Sequence, residues 1–364
     1  MALPFRRVPF CSLVMSSTWT LKHFDLVGES WTLARTPDGR VARLFNERRG
    51  DRRLRFGEQI SARIASVAPK QGGAFLETER GDVFLPSKDG AGLVEGDRHL
   101  VTIVAEARHG KLARCTLESG NTNERDALSP MEQWRASLPQ PSSGLEIADL
   151  TELDHLEEAL DEVLAPRVTL ANGGRIQISP TPALVAVDID TAGRNSRGRA
   201  QARALAVNLD AAKELARQAA LRDLGGLIVL DCIGPLAAAD GRKIRSAFLT
   251  AFRTVSQRQV TCLEPSSLGL MEIALAWQSA PISDLFYDDT GQLLPEAQLR
   301  IALRAVSREA AACPADTFEL KLPDAAYAAF QNDKRHYIEG LRDQFGGRID
   351  VSCSHQDRSE VIRK

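Results

Sequence analysis

Asp188 and Asp190 close the apolar run ALVAVDID at residues 183–190, and Asp231 closes a second, GGLIVLDCIG at 225–234. Side chains two apart on a strand share a face, so Asp188 and Asp190 sit roughly 6 to 7 Å apart. Asp231 ends the next strand of a crossover unit, and neighbouring parallel strands lie roughly 5 Å apart. All three acids could therefore meet at the carboxyl edge of one sheet, where open α/β folds place their ligands. Converging carboxylates repel unless a proton or cation neutralises them. Hard oxygen ligands select Mg²⁺, with Mn²⁺ able to substitute. Such an ion polarises a phosphodiester and acidifies an attacking water. The plainer alternative is that the acids only bring two buried strands out into water.

These acids need a sheet to hold them. From 183 to 275, apolar strand-like runs alternate with helical ones. ALVAVDI, GLIVLDCI and VTCLEP read as strands. The stretch from Arg199 to Leu221, GRKIRSAFLTAFRTV, and the short GLMEIALAW read as helices. That alternation predicts a mostly parallel sheet covered on both faces. Arg217 and Arg222 lie on or just past the helix between the acidic strands, and either could hold a phosphate or simply meet solvent. Cys232 should point to the face opposite Asp231, into the core.

Upstream, GESWTLARTPDGRVARLF at 28–45 reads as a hairpin turning at TPDG. The arginine-dense NERRGDRRLRFGEQ follows. Five short strands with tight breaks then suggest a small barrel of the oligonucleotide-binding type. Residues 119–146 are polar and rich in turn formers, with one short helix at MEQW. TFELKLP, a helix over DAAYAAFQNDKRHYIEGLRDQF, and GGRIDVSC make a small α/β unit near the end.

The 364 residues suit two or three domains. A net charge of -2 is weak testimony against nucleic acid, because a local basic face can hide in a balanced total. Six scattered cysteines with no C-x-x-C pair suggest a reducing cytoplasm. The opening MALPFRRVPFCSLVM lacks a clear signal-peptide pattern, and no apolar run has membrane-spanning length. The histidines form no ligand-spaced cluster, and no phosphate-binding glycine loop or nucleophile elbow is present.

ALVAVDIDTAG, NLDAAKELARQAALRDLGGLIVLDCIG and SSLGLMEIAL together resemble the catalytic core of the bacterial ribonuclease E/G family. The resemblance runs from about residue 28 to 355 and is strongest over 183–232. It implies a multidomain α/β protein: an S1-type OB barrel, a DNase-I-like α/β catalytic core, and a small C-terminal α/β domain. The corresponding divisions are 1–27, an extension that need not be fully ordered; 28–55, a β segment packing on the core; 56–118, the barrel; 119–150, a linker with a reduced sensor region; 151–182, helix plus hairpin; 183–290, the core; and 291–364, the terminal domain.

The implied activity is Mg²⁺-dependent endonucleolytic hydrolysis of single-stranded RNA, leaving 5′-phosphate and 3′-hydroxyl ends. Asp188 and Asp231 match the family's metal aspartates. Asp190 stands where the family often carries a supporting asparagine, and is expected to orient the water or join the coordination. Phe75 in GGAFLE and Phe84 in GDVFLP match RNA-gripping aromatics, against the alternative that they fill the barrel core; Lys111 matches a basic contact. Several family features are missing. The insertion that senses a 5′-monophosphate is largely gone, and the zinc-sharing cysteine pair has no counterpart, so no structural zinc is expected. The positive charge after GLMEI gives way to ALAWQSAPISD, Pro182 replaces an acid, and DCIG replaces a motif with a second acid. The expected assembly is a monomer or a homodimer through the catalytic core, with RNA as partner and no membrane. The alternatives are a catalytically weak or inactive RNA-binding protein, or a phosphodiesterase with another substrate.

Overall fold

The computed structural model describes residues 18–86, 92–108, 110–117, 128–139, 142–191 and 200–364. It shows a multidomain α/β architecture with a closed five-stranded barrel and three further sheets.

The first sheet has the order β3-β2-β1-β9. Its hairpin, β2 (Glu29–Arg35) with β3 (Val41–Arg48), turns at TPDG as its sequence predicts. The other two strands correct the sequence reading. β1 (Trp19–Leu26) lies in the stretch taken as an extension, yet Trp19 and Phe24 are fully buried. β9 (Ser142–Ile147) lies in the stretch taken as a linker and pairs parallel with β1 across more than a hundred residues. Short helix α1 (Pro130–Ala136) precedes it and closes its N-terminus with a Ser129/Glu132 capping box. Residues 119–127 and 140–141 of that linker lie outside the described residues, as do residues 1–17.

The barrel comprises β4 (Gln59–Ala68), β5 (Gly73–Thr78), β6 (Gly81–Pro86), β7 (Arg98–Ala105) and β8 (Ala113–Leu117). It closes in the order β4-β5-β6-β8-β7, with β7 returning to β4. Ile64, Ala74, Leu76, Val83, Val101 and Ile103 fill the interior. Buried Glu106 pins the barrel to the rest of the chain. Its carboxylate accepts from the Phe56 and Ala280 amides, at 3.0 and 3.1 Å, and its carbonyl accepts from Trp277 Nε1 at 3.1 Å.

Helix α2 (Asp154–Leu164) packs its leucines on the N-terminal hairpin. The central sheet then runs β10 (Arg167–Thr169), β11 (Arg175–Pro180), β12 (Val185–Asp190), β13 (Gly226–Asp231), β15 (Leu270–Leu275), β14 (Val260–Cys262). Helices α3 (Ala200–Leu221) and α4 (Ala238–Val255) cover one face. The alanines of α3 at 211, 212, 216, 219 and 220 are all buried, in a core shared by the central sheet and the N-terminal sheet. Small side chains let a helix sit this closely between two layers.

Two expectations about this sheet are corrected. It is mixed, with β12 and β13 parallel and the flanking pairs antiparallel. It is also open on one face. Val187, Ile189, Ile228, Leu230 and Ile273 face the helices, while Ala186, Asp188, Leu227, Asp231 and Glu272 are exposed. Such alternation is the mark of a half-solvated sheet. The predicted helix GLMEIALAW is instead β15, because Met271, Ile273 and Leu275 bury at period two and both strand edges are paired.

The C-terminal unit packs α5 (Pro295–Ala312), α6 (Asp324–Asn332) and α7 (Lys334–Phe345) on a sheet of order β17-β16-β18. Its strands are β16 (Phe318–Pro323), β17 (Ile349–Ser354) and β18 (Glu360–Arg363). The single helix expected over 324–345 is divided at Asp333, which leaves the helical region.

Candidate functional site

The open face of the central sheet carries the acids. Val187 pairs with Leu230 in the parallel register of β12 and β13, so one residue further Asp188 lies beside Asp231. Both are exposed and point away from the helices. Among the described residues neither side chain has a hydrogen bond or ion pair. Two like charges on adjacent strands, each left unpartnered, is an unfavourable arrangement in the absence of a cation.

Asp190 is different. Arg175, its register partner on β11, donates from Nε and Nη2 to Asp190 Oδ2 at 2.9 and 2.6 Å. Gln177 occupies the equivalent place opposite Asp188, and its Oε1 accepts from Arg167 Nε at 3.2 Å. Among the described residues no group of three or more His, Cys, Asp or Glu could hold a metal ion. Asp190 therefore does not complete a three-carboxylate set, contrary to the simplest reading of the spacing. Two adjacent carboxylates remain. That donor set suits Mg²⁺, which is commonly held by one or two carboxylates, with waters and substrate phosphate oxygens completing the octahedron.

The segment after Asp231 is tightly fixed. Buried Asn208 on α3 donates to the Ile233 carbonyl and accepts from the Ile233 amide, at 2.9 and 3.0 Å. Gly269 closes the other side; its φ is +86°, and a Cβ there would lie 2.9 Å from the Cys232 oxygen. Buried Asp240, at the start of α4, accepts from Gln201 Nε2 at 2.9 Å and so ties the two helix N-termini together. The Cys232 side chain is buried as expected, and burial pushes its thiol up to about 12.

Arg217 and Arg222 do not face the acids. Each is 7% exposed. Arg217 donates to the Val41 carbonyl at 2.6 Å and pairs with Glu214 and Glu162. Burial opposes its charge, but the bonds to Glu162 and Glu214 prevail and raise its pKa. Arg222 donates to Gln218 and to the Glu162 and Ala165 carbonyls. Burial pushes it down to about 10. The structure gives both guanidinium groups internal partners in place of a phosphate-facing position.

On the barrel, Phe75 and Phe84 are cross-strand partners with ring centroids 5.3 Å apart. Both are half-buried on the outer face, while Ala74, Leu76, Val83 and Leu85 point inward. The alternative that they fill the core is thereby excluded. Gly73 makes room for the second ring, since a Cβ there would lie 2.6 Å from Phe84 Cζ. Arg114 on β8 is the parallel register partner of Phe84 and is exposed. The row Phe75, Phe84, Arg114 thus crosses three strands. Exposed Lys111 sits beyond the start of β8, in a tight turn whose backbone bonds pair it with Arg108. It lines a crevice of about 720 Å³ with Arg52, Arg53, Arg80, Arg108 and Ala280. Arg108 stacks over Trp277 at 4.5 Å, near the start of β13. Asp231 ends that strand, about 17 Å away at 3.3 Å per residue.

Sequence reasoning missed Arg175, whose role depends on the β11/β12 register. It also missed Glu272, hidden by reading its strand as a helix. Register with Val229 puts Glu272 on the open face, diagonal to Asp231.

An acidic pair thus lies on an open α/β sheet, beside a barrel with an exposed aromatic and basic row. The family model of the Ribonuclease E/G family matches residues 99–276, from β7 to just past β15. Ribonuclease E of a Nostoc species is 35% identical over 140 residues, which is 38% of this chain and 20% of that protein. A chloroplastic Ribonuclease E/G-like protein of Arabidopsis thaliana is 39% identical over 134 residues, 36% of this chain and 13% of that protein. Ribonuclease E of Escherichia coli is 28% identical over 199 residues, 53% of this chain and 19% of that protein. The chain is distantly related to the Ribonuclease E/G family, and these matches span a fifth or less of each relative's length. Among the described residues no helix is long and apolar enough to cross a membrane.

Proposed function

We propose that this chain is a metal-dependent endoribonuclease acting on single-stranded RNA in RNA processing or decay. The observation that carries the reading is the Asp188/Asp231 pair: exposed, side by side, without side-chain partners among the described residues, and inside the stretch that matches the family. Asp188 and Asp231 would hold Mg²⁺, which when bound lowers the pKa of water and stabilises charge on a phosphoryl oxygen. Asn208 and Gly269 fix the segment behind Asp231, so its carboxylate is preorganised. Water adds to phosphorus and the bond to the 3′ oxygen breaks, which leaves a 5′-phosphate and a 3′-hydroxyl. On this reading the barrel is an S1-type OB module and the central sheet a DNase-I-like core. Phe75 and Phe84 stack on bases without demanding sequence, and Lys111 and Arg114 meet phosphates. Mn²⁺ would replace Mg²⁺, a homodimer would form through the core, and the cytoplasm would be the site of action.

The test is cleavage of an end-labelled single-stranded RNA with Mg²⁺. Asp188→Asn and Asp231→Asn should each lose roughly a thousandfold in rate, the several kcal/mol a Lewis acid supplies. Equal cleavage by parent and variants would remove the site. A second reading, RNA binding without cleavage, is favoured by ALAWQSAPISD, which lacks positive charge after GLMEI, and by the acid at 190 in place of a neutral amide. Salt-sensitive RNA binding with no cleavage in Mg²⁺ or Mn²⁺ would establish it.

A further inference from the structure

The arginine-dense stretch NERRGDRRLRF has no part in the acidic site, but it builds the crevice of about 720 Å³ where the barrel meets the core. Arg80 and the turn at 108–111 bring further cations there from distant parts of the chain. The inner charges are committed to one another. Arg53 donates to Asp51, and Asp284 adds to the pull on it. Arg80 pairs with Glu58, and Glu106 with Arg55. The lining charges outside these pairs are three cations, Arg52, Arg108 and Lys111, and one acid, Asp82. Arg52 makes a long bond to the Glu79 carbonyl, at 3.5 Å. Neither Arg108 nor Lys111 has a side-chain hydrogen bond or ion pair among the described residues.

Arg108 is nonetheless firmly held. Its guanidinium lies 4.5 Å from the Trp277 ring, and a ring face holds a guanidinium without using its N–H donors. The indole is itself fixed. Its Nε1 donates to the Glu106 carbonyl at 3.1 Å, the Glu106 amide donates to the Gln278 carbonyl at 2.7 Å, and a Cβ on Gly225 would lie 2.9 Å from Trp277 Cε3. An oriented guanidinium with its donors unspent suits a phosphate, which it can meet with two parallel bonds. The crevice is also continuous with the aromatic row. Lys111, Leu112 and Ala113 line it, and the next residue, Arg114, is the register partner of Phe84. A strand stacked on Phe75 and Phe84 therefore runs on into the crevice. We propose that the crevice binds a backbone phosphate of single-stranded RNA through Arg108, with Trp277 as the positioning residue that fixes the guanidinium.

This inference rests on the reading that the chain binds single-stranded RNA, and the experiment separates the two. A labelled single-stranded RNA oligonucleotide is titrated with the full chain, divalent ions chelated, and read by fluorescence anisotropy from about 50 to about 200 mM salt. Each phosphate contact on a single strand adds about 0.7 to the slope of log affinity against log salt. Arg108→Ala should lower the slope by about that amount. Trp277→Phe keeps a ring beneath Arg108 and should stay near the parent, whereas Trp277→Leu should bind several-fold more weakly. Arg335→Ala, which removes an exposed cation on α7, should leave the slope unchanged. Unchanged slope and affinity in Arg108→Ala, with binding still weakened in Phe75→Ala, overturns the inference alone. A slope lowered equally by Arg335→Ala makes the effect one of net charge and overturns it too. Trp277→Phe as weak as Trp277→Leu removes the positioning role. A parent with no salt-dependent RNA binding overturns the RNA reading, and the inference with it.

Discussion

The chain uses charge in opposite ways at two places barely one strand and one helix apart. At the end of β12 and β13, Asp188 and Asp231 stand exposed, with no side-chain partner among the described residues. Along the C-terminal half of α3 and just past its end, Glu214, Arg217 and Arg222 are buried, and each is bonded to side chains or carbonyls of nearby residues. Arg217 reaches both the N-terminal sheet, at Val41, and α2, at Glu162. The lesson concerns which charges to trust as functional. A buried, fully partnered charge holds layers together. An exposed like-charge pair held rigidly from behind has no structural reason to exist. Substitutions at the two places should therefore leave opposite signatures.

The largest stability effect belongs to the helix. Arg217→Ala leaves Glu162 without its cation and Glu214 with only Arg40, and breaking a buried pair in this way costs about 3 to 5 kcal/mol. Urea unfolding should show that loss, while RNA affinity of the protein still folded stays at the parental value. The reverse outcome, normal stability with weakened RNA binding, would return Arg217 to the RNA surface. Asp231→Asn should show the mirror image, with stability kept and cleavage lost.

The barrel offers a milder version of the comparison. Phe75→Ala and Phe84→Ala should each weaken single-stranded RNA by about 1 to 3 kcal/mol, the usual value of one base stacked on an aromatic. The interior is built from other residues, Leu76, Val83 and Ile103 among them, so the barrel should stay folded. Filter binding at fixed salt reads the first effect and circular dichroism the second. A melted barrel with unchanged affinity would make the pair a packing device.

Much of the site was legible before any fold was known. The acids at 188 and 231 end apolar runs joined by a helix of crossover length, and parity alone puts Asp188 and Asp190 on one face. Parity could not show that Asp190 has a cation of its own, because Arg175 belongs to another strand and its register is set by a glycine turn. Nor could it orient Phe75 and Phe84. AFL and VFL are apolar at three consecutive positions, so alternation fits either face until the barrel's inside is known. β15 was misread because Leu, Met, Glu and Ala are good helix formers, and its antiparallel pairing with β13 and β14 overrode that preference. β1 and β9 escaped because each is completed only by the other, far along the chain. Arg217 and Arg222 looked free because one helix sequence does not reveal that a second sheet covers its outer side.

The smallest expected effect tests the same contrast through pH. Burial alone would raise the Glu214 pKa, but its bonds with Arg217, and the nearby Arg40, hold it below the ordinary carboxylate value. A carboxylate lowered on folding stabilises the protein fully above its unfolded pKa, about 4.3. That contribution fades as pH falls below this value toward the folded pKa. In Glu214→Gln, stability at neutral pH should be lower than in the parent, and the gap should narrow as pH falls from 5 toward 3. Asp188 and Asp231 have no cationic partner among the described residues, and their substitution is read against metal rather than pH. Asp188→Asn and Asp231→Asn should instead cancel any rise in stability that added Mn²⁺ gives the parent at neutral pH. Urea midpoints at matched ionic strength, with and without Mn²⁺, separate the two. A gap between Glu214→Gln and the parent that stayed constant from pH 5 to 3 would mean that the ion pairs of Glu214 do not shape the acid limb.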